Sequence, residues 1–461
     1  MTPHAAAWAM LNEALAVYRD SPRATAFLRA QLARFGEPVR VAVAGAPGAG
    51  KSTVVNSLIG EEIAPVEGLV SYRDGPAPRA VVIAPPAPPQ EVPIVRRDGR
   101  QRVDSGAWRS QQVERVLVDW PARSLRETSL LDTPGGASPE LVFGEADAVV
   151  YLMRHMHDAD LRFLQAGGDR PSVSTVVVLS RADEIGGGRI DALSSAKQIA
   201  RRYRRDPQVQ PLCQNVVAVA GLLAVAARTL RDAEFDAVAA LAALPRTDLE
   251  EHLLSADRFV GHDFPVALAP QVRQGLLERF GIFGVRLTAT LVRQGFDTRT
   301  KLVGQLVQRS GLGELRDAIG QNFTERHEVL KALSVWRALE FVLRAEPRQG
   351  ARKLTADLER ALASAHDLKE LRLLAALQTG RTTLPGDLEA EAVRIVGGEG
   401  TDPVARLGMD FEPDERSLRL AVTDVLRRWQ DQAVNPVLDT AQRAAAGVVV
   451  RSCEGMLTRL S

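Results

Sequence analysis

The chain has 461 residues, enough for two or three domains at about 150 residues each. Its 45% hydrophobic and 25% charged residues are the balance of an ordinary globular protein, and a total of two cysteines, Cys213 and Cys453, excludes a disulfide framework. Lys plus Arg number 58 against 57 Asp plus Glu, and the resulting net charge of +1 excludes a dedicated nucleic-acid binder, whose affinity rests on a basic excess.

The amino terminus, MTPHAAAWAMLNEALAVYRD, has no basic leading region and carries Glu13 early, so it does not read as a signal peptide. From Ala5 to about Phe35, Trp8, Leu11, Leu15, Phe27, Leu28 and Leu32 recur at helical spacing with a break near Ser21-Pro22, which predicts one or two packing helices. From Val39 to about Gly221 the texture changes to short apolar runs between Gly/Pro turns and helical stretches. VRVAVAG (39–45), RAVVIA (79–84), VERVLVDW (113–120), ADAVVYLM (146–153), STVVVLS (174–180) and NVVAVAG (215–221) are the expected strands. Strands alternating with helices imply a mostly parallel sheet covered on both faces. The proline-rich APPAPPQEVP (84–93) is expected to be a loop at the sheet edge, because proline lacks the donor a ladder requires.

Beyond Gly221, segments 222–243, 271–293, 312–345, 351–377, 415–433 and 437–459 show apolar spacings of three and four and are expected helices. Trp336, Phe341 and Trp429 fall at core positions of that pattern. The basic run RRYRR (201–205) is expected to be a solvated helix end. The longest apolar run, Val216 to Ala227, is well short of the roughly 18 residues a membrane span needs. Integral membrane insertion is therefore not expected, and peripheral attachment stays open.

Chemistry concentrates in three places. Gly45-Ala-Pro-Gly-Ala-Gly50-Lys51-Ser52 is a complete GxxxxGK[ST] set directly between an expected strand and an expected helix, the context that makes this string a phosphate-binding P-loop. Its backbone N–H groups and the following helix dipole face an anion. Lys51 reaches the β- and γ-phosphates, and Ser52 is placed to ligate Mg²⁺. Gly45, Gly48, Ala49, Gly50, Lys51, Ser52 and Thr53 are the expected phosphate contacts. Ser-Leu-Leu-Asp132-Thr133-Pro134-Gly135 ends a second strand on an aspartate suited to hold the magnesium, with Gly135 offering an N–H to a γ-phosphate.

Ser180-Arg181-Ala182-Asp183 ends a third strand. A carboxylate at Asp183 accepts from both N1–H and the 2-amino group of guanine, a donor pair that adenine lacks, so GTP or GDP is expected rather than an adenine nucleotide. The usual pattern at this place is [NT]KxD; Ser180 and Arg181 replace its first two residues, and Arg181 can still lie over the base. After the next strand, Val219-Ala220-Gly221 is where a backbone N–H, assigned to Ala220, would meet the guanine O6. Lys51, Asp132 and Gly135 are the expected catalytic set, with Ser52 and Asp132 the metal ligands. Arg154-His155-Met156-His157-Asp158-Ala159-Asp160, after the strand ending at Met153, admits a metal reading, a solvated loop or a contact across a dimer.

These three sites in order, with KSTVVNSLIG carrying Asn56 and Gly60, resemble the dynamin-like GTPases. IAP (63–65), GPAPR (75–79), SRADEIGGGRIDA (180–192), GLLAVAARTLR (221–231), LLERFGIFGVR (276–286) and SGLGELRDAI (310–319) are similar to the bacterial dynamin-like branch that is induced by isoniazid in mycobacteria. The resemblance runs along most of the chain. It implies an α/β P-loop GTPase domain, with a mostly parallel sheet and helices on both faces, plus an α-helical neck or trunk bundle. The implied division is residues 1–37 packing with the carboxy-terminal bundle, 38–320 the G domain with a helical extension, and 321–461 the bundle. It also implies slow basal GTP hydrolysis coupled to membrane remodelling, a G-domain dimer or another dynamin-like protein as partner, and a cytoplasmic location with peripheral contact at the inner face of the cell membrane. His157, Asp158 or Asp160 would make the dimer contact. The loop Gln378 to Leu388, with Arg381 and Leu384-Pro385, would be the membrane tip.

Three departures from the family pattern touch hydrolysis more than binding. No threonine occurs between Thr53 and Thr128 to serve as the switch-I residue, and in the short segment Val66 to Tyr72 the hydroxyl nearby is Ser71. Gly48 stands where dynamins carry a P-loop serine. Gly136 to Glu145 is short. They favour an alternative, a nucleotide-binding partner of another dynamin-like protein that does not itself hydrolyse GTP. An ATP-dependent P-loop enzyme is disfavoured by Asp183.

Overall fold

The protein is described here by a computed structural model covering residues 2–64, 68–97, 100–104, 113–168, 171–261, 263–409 and 413–460. Its strands are β1 (Val39–Gly45), β2 (Leu69–Asp74), β3 (Arg79–Ile83), β4 (Gln90–Val92), β5 (Ile94–Arg97), β6 (Arg100–Val103), β7 (Arg115–Trp120), β8 (Thr128–Asp132), β9 (Ala148–Met153), β10 (Thr175–Ser180) and β11 (Asn215–Val219). β5 and β6 form a separate hairpin, and the others make a nine-stranded sheet in the order β11-β10-β9-β1-β8-β2-β7-β3-β4.

The five strands from β11 to β8 are mutually parallel, with Val43 opposite both Asp132 of β8 and Val150 of β9. Their carboxyl ends therefore open on one edge, where ligands of open α/β sheets bind. Buried on both faces, these strands read as unbroken apolar runs. One face packs Ala42, Leu131, Tyr151 and Val177 under a helical layer that includes Ala192–Arg204 and Pro270–Arg293. The other packs Val41, Val43, Val150 and Val178 under helices Lys51–Ile59 and Leu312–Ile319. The fold class expected from sequence is the one observed.

The helical remainder forms two further cores. Helices Pro3–Val17 and Pro22–Phe35 start on Thr2 and Ser21 caps, each followed by proline, and bury Leu11, Tyr18 and Leu28 with Trp336 and Leu339 of helix His327–Ala345. Helices Glu415–Ala433 and Thr440–Arg459 pack with the end of His366–Thr379 around Trp429. The carboxylate of Glu370 ties the two halves, accepting from Arg406 Nη1 at 2.7 Å and Arg326 Nη1 at 3.4 Å.

Several local expectations are corrected. β2 was not among the expected strands; it pairs antiparallel to β8 and parallel to β7. Pro65, Val66 and Glu67, before it, lie outside the described residues. The proline-rich stretch is a loop only to Pro89, since Gln90–Val92 adds the edge strand β4. Helix Pro270–Arg293 breaks at Gly281, whose φ of 65° and ψ of 172° are not helical. Phe341 is 58% exposed, touching Phe27 at 5.6 Å between ring centroids, whereas Trp336 and Trp429 are buried as expected.

Candidate nucleotide site

The P-loop follows β1 at the centre of the open edge. Helix Lys51–Ile59 begins at Gly50, which has φ 92° and provides no side-chain cap, so its first N–H groups are not closed off by a side chain. Gly45 is required to be glycine by space, because a Cβ there would stand 2.3 Å from Leu152 O of β9. Lys51 is folded onto the loop, its Nζ donating to Gly45 O at 3.1 Å and Ala46 O at 3.0 Å. Burial pushes its ammonium below the ordinary lysine range, with the Asp132 charge opposing.

Asp132, at the end of β8, is 4% exposed. Its Oδ2 accepts from Ser52 Oγ at 2.9 Å, while the buried Oδ1 has no hydrogen-bond partner. Burial raises the carboxyl to about 6, although the Ser52 hydrogen bond and Lys51 pull it back. A buried carboxylate oxygen without a donor, beside a hydroxyl and below a phosphate-binding turn, is a donor set suited to a hard divalent cation. Thr133 Oγ1 donates to Val43 O at 2.9 Å and fixes the strand end. Gly135 lies on the P-loop so closely that a Cβ would sit 3.0 Å from Pro47 Cα.

The base side of the site comes from β10 and β11. Arg181, with φ 52°, is the non-glycine residue in the left-handed region among the described residues, and its Nη2 donates to Gly48 O at 3.1 Å. That contact ties the loop after β10 to the P-loop, which is how arginine serves at a position where lysine is usual. Asp183 is 7% exposed, and burial pushes its carboxyl up, with its own backbone N–H opposing. It borders a cleft with Gly50, Thr53, Arg181, Gly221 and Leu222, and Ala49 and Ser180 line the same cleft. The break at Gly281 faces this cleft, since a Cβ there would lie 3.9 Å from Asp183 Oδ2. The Ser180 hydroxyl donates instead to Met153 O at 3.0 Å, joining the ends of β10 and β9.

The structure thus brings Gly50, Lys51, Ser52, Thr53, Asp132, Gly135, Arg181 and Asp183 to one edge. It does not give Ala220 the expected role: its N–H donates to Ser310 O at 2.9 Å, and the cleft is reached by Gly221 instead. Asp160 is likewise corrected as a contact residue, being buried and accepting from Tyr151 OH at 2.7 Å and His157 N at 2.9 Å. His157 and Asp158 remain exposed. Among the described residues no three His, Cys, Asp or Glu side chains converge on a metal position. Ser71 lies within β2, 4% exposed, opposite Leu131 and Leu117, so it is not a switch-loop hydroxyl.

Arg154 opens a segment singled out from the sequence, but its P-loop contact was not foreseen: its Nη2 donates to Gly48 O at 3.3 Å. Its one signal is its place, immediately past β9 and next to β1. Sequence reasoning missed the role of Asn56, whose side chain accepts from Ile63 N and Ala64 N at 3.0 and 2.8 Å and donates to Ala64 O at 2.7 Å, clamping the chain that leaves the P-loop helix. The loop proposed as a membrane tip is tied near its start, where Gln210 Nε2 donates to Thr379 O at 2.6 Å, and its Leu384 is 6% exposed. Among the described residues, no helix is long and apolar enough to cross a membrane.

No protein-family model matches the chain. It is 37% identical to the isoniazid-induced protein IniC of Mycobacterium tuberculosis, in both strain CDC 1551 / Oshkosh and strain ATCC 25618 / H37Rv, across 98% of this chain and 98% of each relative. Two solved chains of an oligomerised bacterial dynamin pair, described as a mechanism for long-range sensing and tethering of membranes, align with 100% and 99% of this chain and 79% and 75% of theirs. Their identities are 13% and 12% and their TM-scores 0.33 and 0.31, so that likeness carries no argument here. The 37% identity along nearly the whole length does: this chain belongs to the IniC family, the bacterial dynamin-like relatives that its motifs resemble.

Proposed function

We propose that the protein is a dynamin-like guanine-nucleotide-binding protein that hydrolyses GTP slowly. The observation that carries this reading is the pairing of Ser52 with a buried Asp132 whose second oxygen lacks a donor, on the same sheet edge as a cleft lined by Gly50, Thr53 and Asp183. Uncapped N–H groups at the start of helix Lys51–Ile59 bind the phosphates, and Lys51 leaves Gly45 O and Ala46 O to meet the β- and γ-phosphates. Ser52 and Asp132 would hold Mg²⁺, which would supply neutralisation of phosphate charge. Asp183 accepts from guanine N1–H and the 2-amino group, and Arg181 keeps that carboxylate in register with the P-loop.

The working division is residues 1–37, 38–320 and 321–461, with nucleotide state biasing the G domain against the helical bundle. The output assigned by the resemblance is membrane remodelling at the inner face of the cell membrane, with a second dynamin-like protein or a second copy as partner. Val434 and Val437, 78% and 87% exposed between helices Glu415–Ala433 and Thr440–Arg459, replace the loop at 378–388 as the candidate lipid contact. A second reading, a nucleotide-gated partner without turnover, is favoured by the burial of Ser71 in β2.

Steady-state GTP turnover by the purified chain, with and without anionic liposomes and with Lys51→Ala as the blank, tests both. Turnover above the blank that rises with lipid supports the enzyme. GTP binding without turnover selects the partner reading, and absence of GTP binding refutes the site.

A further inference from the structure

We propose that Arg154 is the transition-state cation of this site, supplied by the chain itself and parked on the P-loop at rest. The inference rests on the GTP-hydrolysis reading above. In that reaction a water oxygen bonds to the γ-phosphorus as the bond to the β–γ bridging oxygen breaks. The electron pair of the broken bond passes to the bridging oxygen, the water's proton leaves to phosphate or solvent, and the products are GDP and inorganic phosphate. Negative charge gathers on the leaving oxygen, and a cation placed there accelerates the step.

Four observations single out Arg154. β9 pairs with β1 so that Leu152 stands opposite Gly45, and Arg154, one residue past the strand, is thereby set beside the P-loop. Its Nη2 is 3.3 Å from Gly48 O, an oxygen that Arg181 Nη2 already satisfies at 3.1 Å. Arg154 can therefore leave without orphaning a carbonyl, whereas Arg181 is fixed by its left-handed backbone and its ion pair with Glu184. Next, the space beside Gly48 is open, with nothing within 4 Å of where a Cβ would be. Finally, Arg154 lines a pocket together with Ala46, Pro47 and Ala49 of the P-loop and with His155 and His157. With Ser71 locked in β2 and Gly48 offering no hydroxyl, Arg154 is the exposed charged group at the place where stabilisation is missing.

The test measures GDP affinity, GTP turnover and trapping of GDP with aluminium fluoride, a mimic of the transferring phosphoryl group, for wild type, Arg154→Ala and Arg154→Lys, with anionic liposomes present. Expected is unchanged GDP affinity in all three, loss of turnover and trapping in Arg154→Ala to the level of the Lys51→Ala blank, and partial recovery in Arg154→Lys. An equal fall in kcat and kcat/KM marks a contact made only in the transition state. Retained turnover in Arg154→Ala overturns the proposal, and so does a matching loss of GDP affinity, which marks a tether. Wild type that binds GDP but neither turns over GTP nor traps the fluoride overturns it while leaving the nucleotide site standing. Absence of GDP binding by wild type refutes the underlying reading instead.

Discussion

Lys331 Nζ, from helix His327–Ala345, lies 3.0 Å from Asp147 Oδ2 at the head of β9, with both side chains at most 4% exposed. The same ammonium donates to Arg34 O at 2.8 Å, Arg34 Nη2 donates to Asp147 Oδ1 at 2.9 Å, and Arg40 N donates to Asp147 Oδ2 at 2.9 Å. One carboxylate thus joins helix Pro22–Phe35, helix His327–Ala345 and the base of the sheet, opposite the edge that holds the P-loop. Burial pushes the Asp147 carboxyl up, but Arg34 and Lys331 outweigh it and hold it below the usual carboxylate range.

Removing one partner leaves a buried charge with too little compensation, so Lys331→Ala is expected to destabilise the fold by about 3–5 kcal/mol. Urea unfolding at neutral pH measures it. Because the folded carboxyl is depressed relative to its ordinary 3.8, its contribution is present above that pH and lost as the pH falls below it. The gap between wild type and Lys331→Ala should narrow in acid, and a gap independent of pH would refute the assignment.

Asp132 carries the opposite sign. Its folded carboxyl sits at about 6 against an ordinary 3.8, so the folded protein holds this proton more tightly, and stability without metal falls as the pH rises from about 4 to 6. Above pH 6 the full penalty is present, on the order of 3 kcal/mol. Asp132→Asn, which keeps an acceptor for Ser52, is expected to raise the metal-free melting temperature at pH 7.5 while abolishing the Mg²⁺ dependence of nucleotide affinity. Wild-type Mg²⁺-dependent affinity should climb between pH 5 and 7 and then flatten. Thermal unfolding with and without Mg²⁺ across that range checks both statements, and a variant less stable than wild type at pH 7.5 contradicts them.

The legible parts of this molecule were those whose physics is local. β1, β9, β10 and β11 are buried on both faces, so their sequences are mainly apolar, and the residues singled out for the site lie at or just past the strand ends. β2 was illegible because Ser71, Arg73 and Asp74 interrupt any run, and its pairing comes from partners more than forty residues away. The break at Gly281 was hidden because apolar spacing continues through it; the left-handed φ and the approach to Asp183 are tertiary facts. Ala220 failed for the same reason, its donor being claimed by Ser310 across an insertion of helices. Phe341 follows the helical period but is 58% exposed, with a ring contact to Phe27, so periodicity overstated its burial.

In the proposed site, base selection rests on one carboxylate and is separable from phosphate binding. Replacing Asp183 by Asn keeps an acceptor but turns the other contact into a donor. That donor faces the 2-amino group of guanine unfavourably and the 2-carbonyl of xanthine favourably. Asp183→Asn is therefore expected to lose GDP affinity by about a hundredfold or more and to gain binding of xanthosine diphosphate. Competition between the two diphosphates against a fluorescent nucleotide measures the reversal. Preference for GDP in the variant would mean that Asp183 does not read the base, and Lys51→Ala, which should weaken both diphosphates alike, is the control.

The two loops weighed for the proposed lipid contact have opposite environments. Leu384 is 6% exposed and its N–H donates to Glu389 Oε2 at 3.1 Å, so a charge there enters a packed core and is expected to unfold the second helical cluster. Val434 and Val437 are largely free of packing, and their replacement by aspartate adds charge at the surface at a cost of about 0.5 kcal/mol or less. A joint Val434→Asp, Val437→Asp variant should keep its melting temperature and GDP affinity yet lose sedimentation with anionic liposomes, because two apolar anchors are replaced by groups repelled from the lipid surface. Undiminished sedimentation would remove these valines as the contact, whatever the nucleotide site does. A variant that sediments less and also melts earlier would reassign them to structure, and reversing their charge with Val434→Lys and Val437→Lys separates the cases: restored sedimentation on anionic lipid alone would identify an electrostatic surface in place of an apolar one.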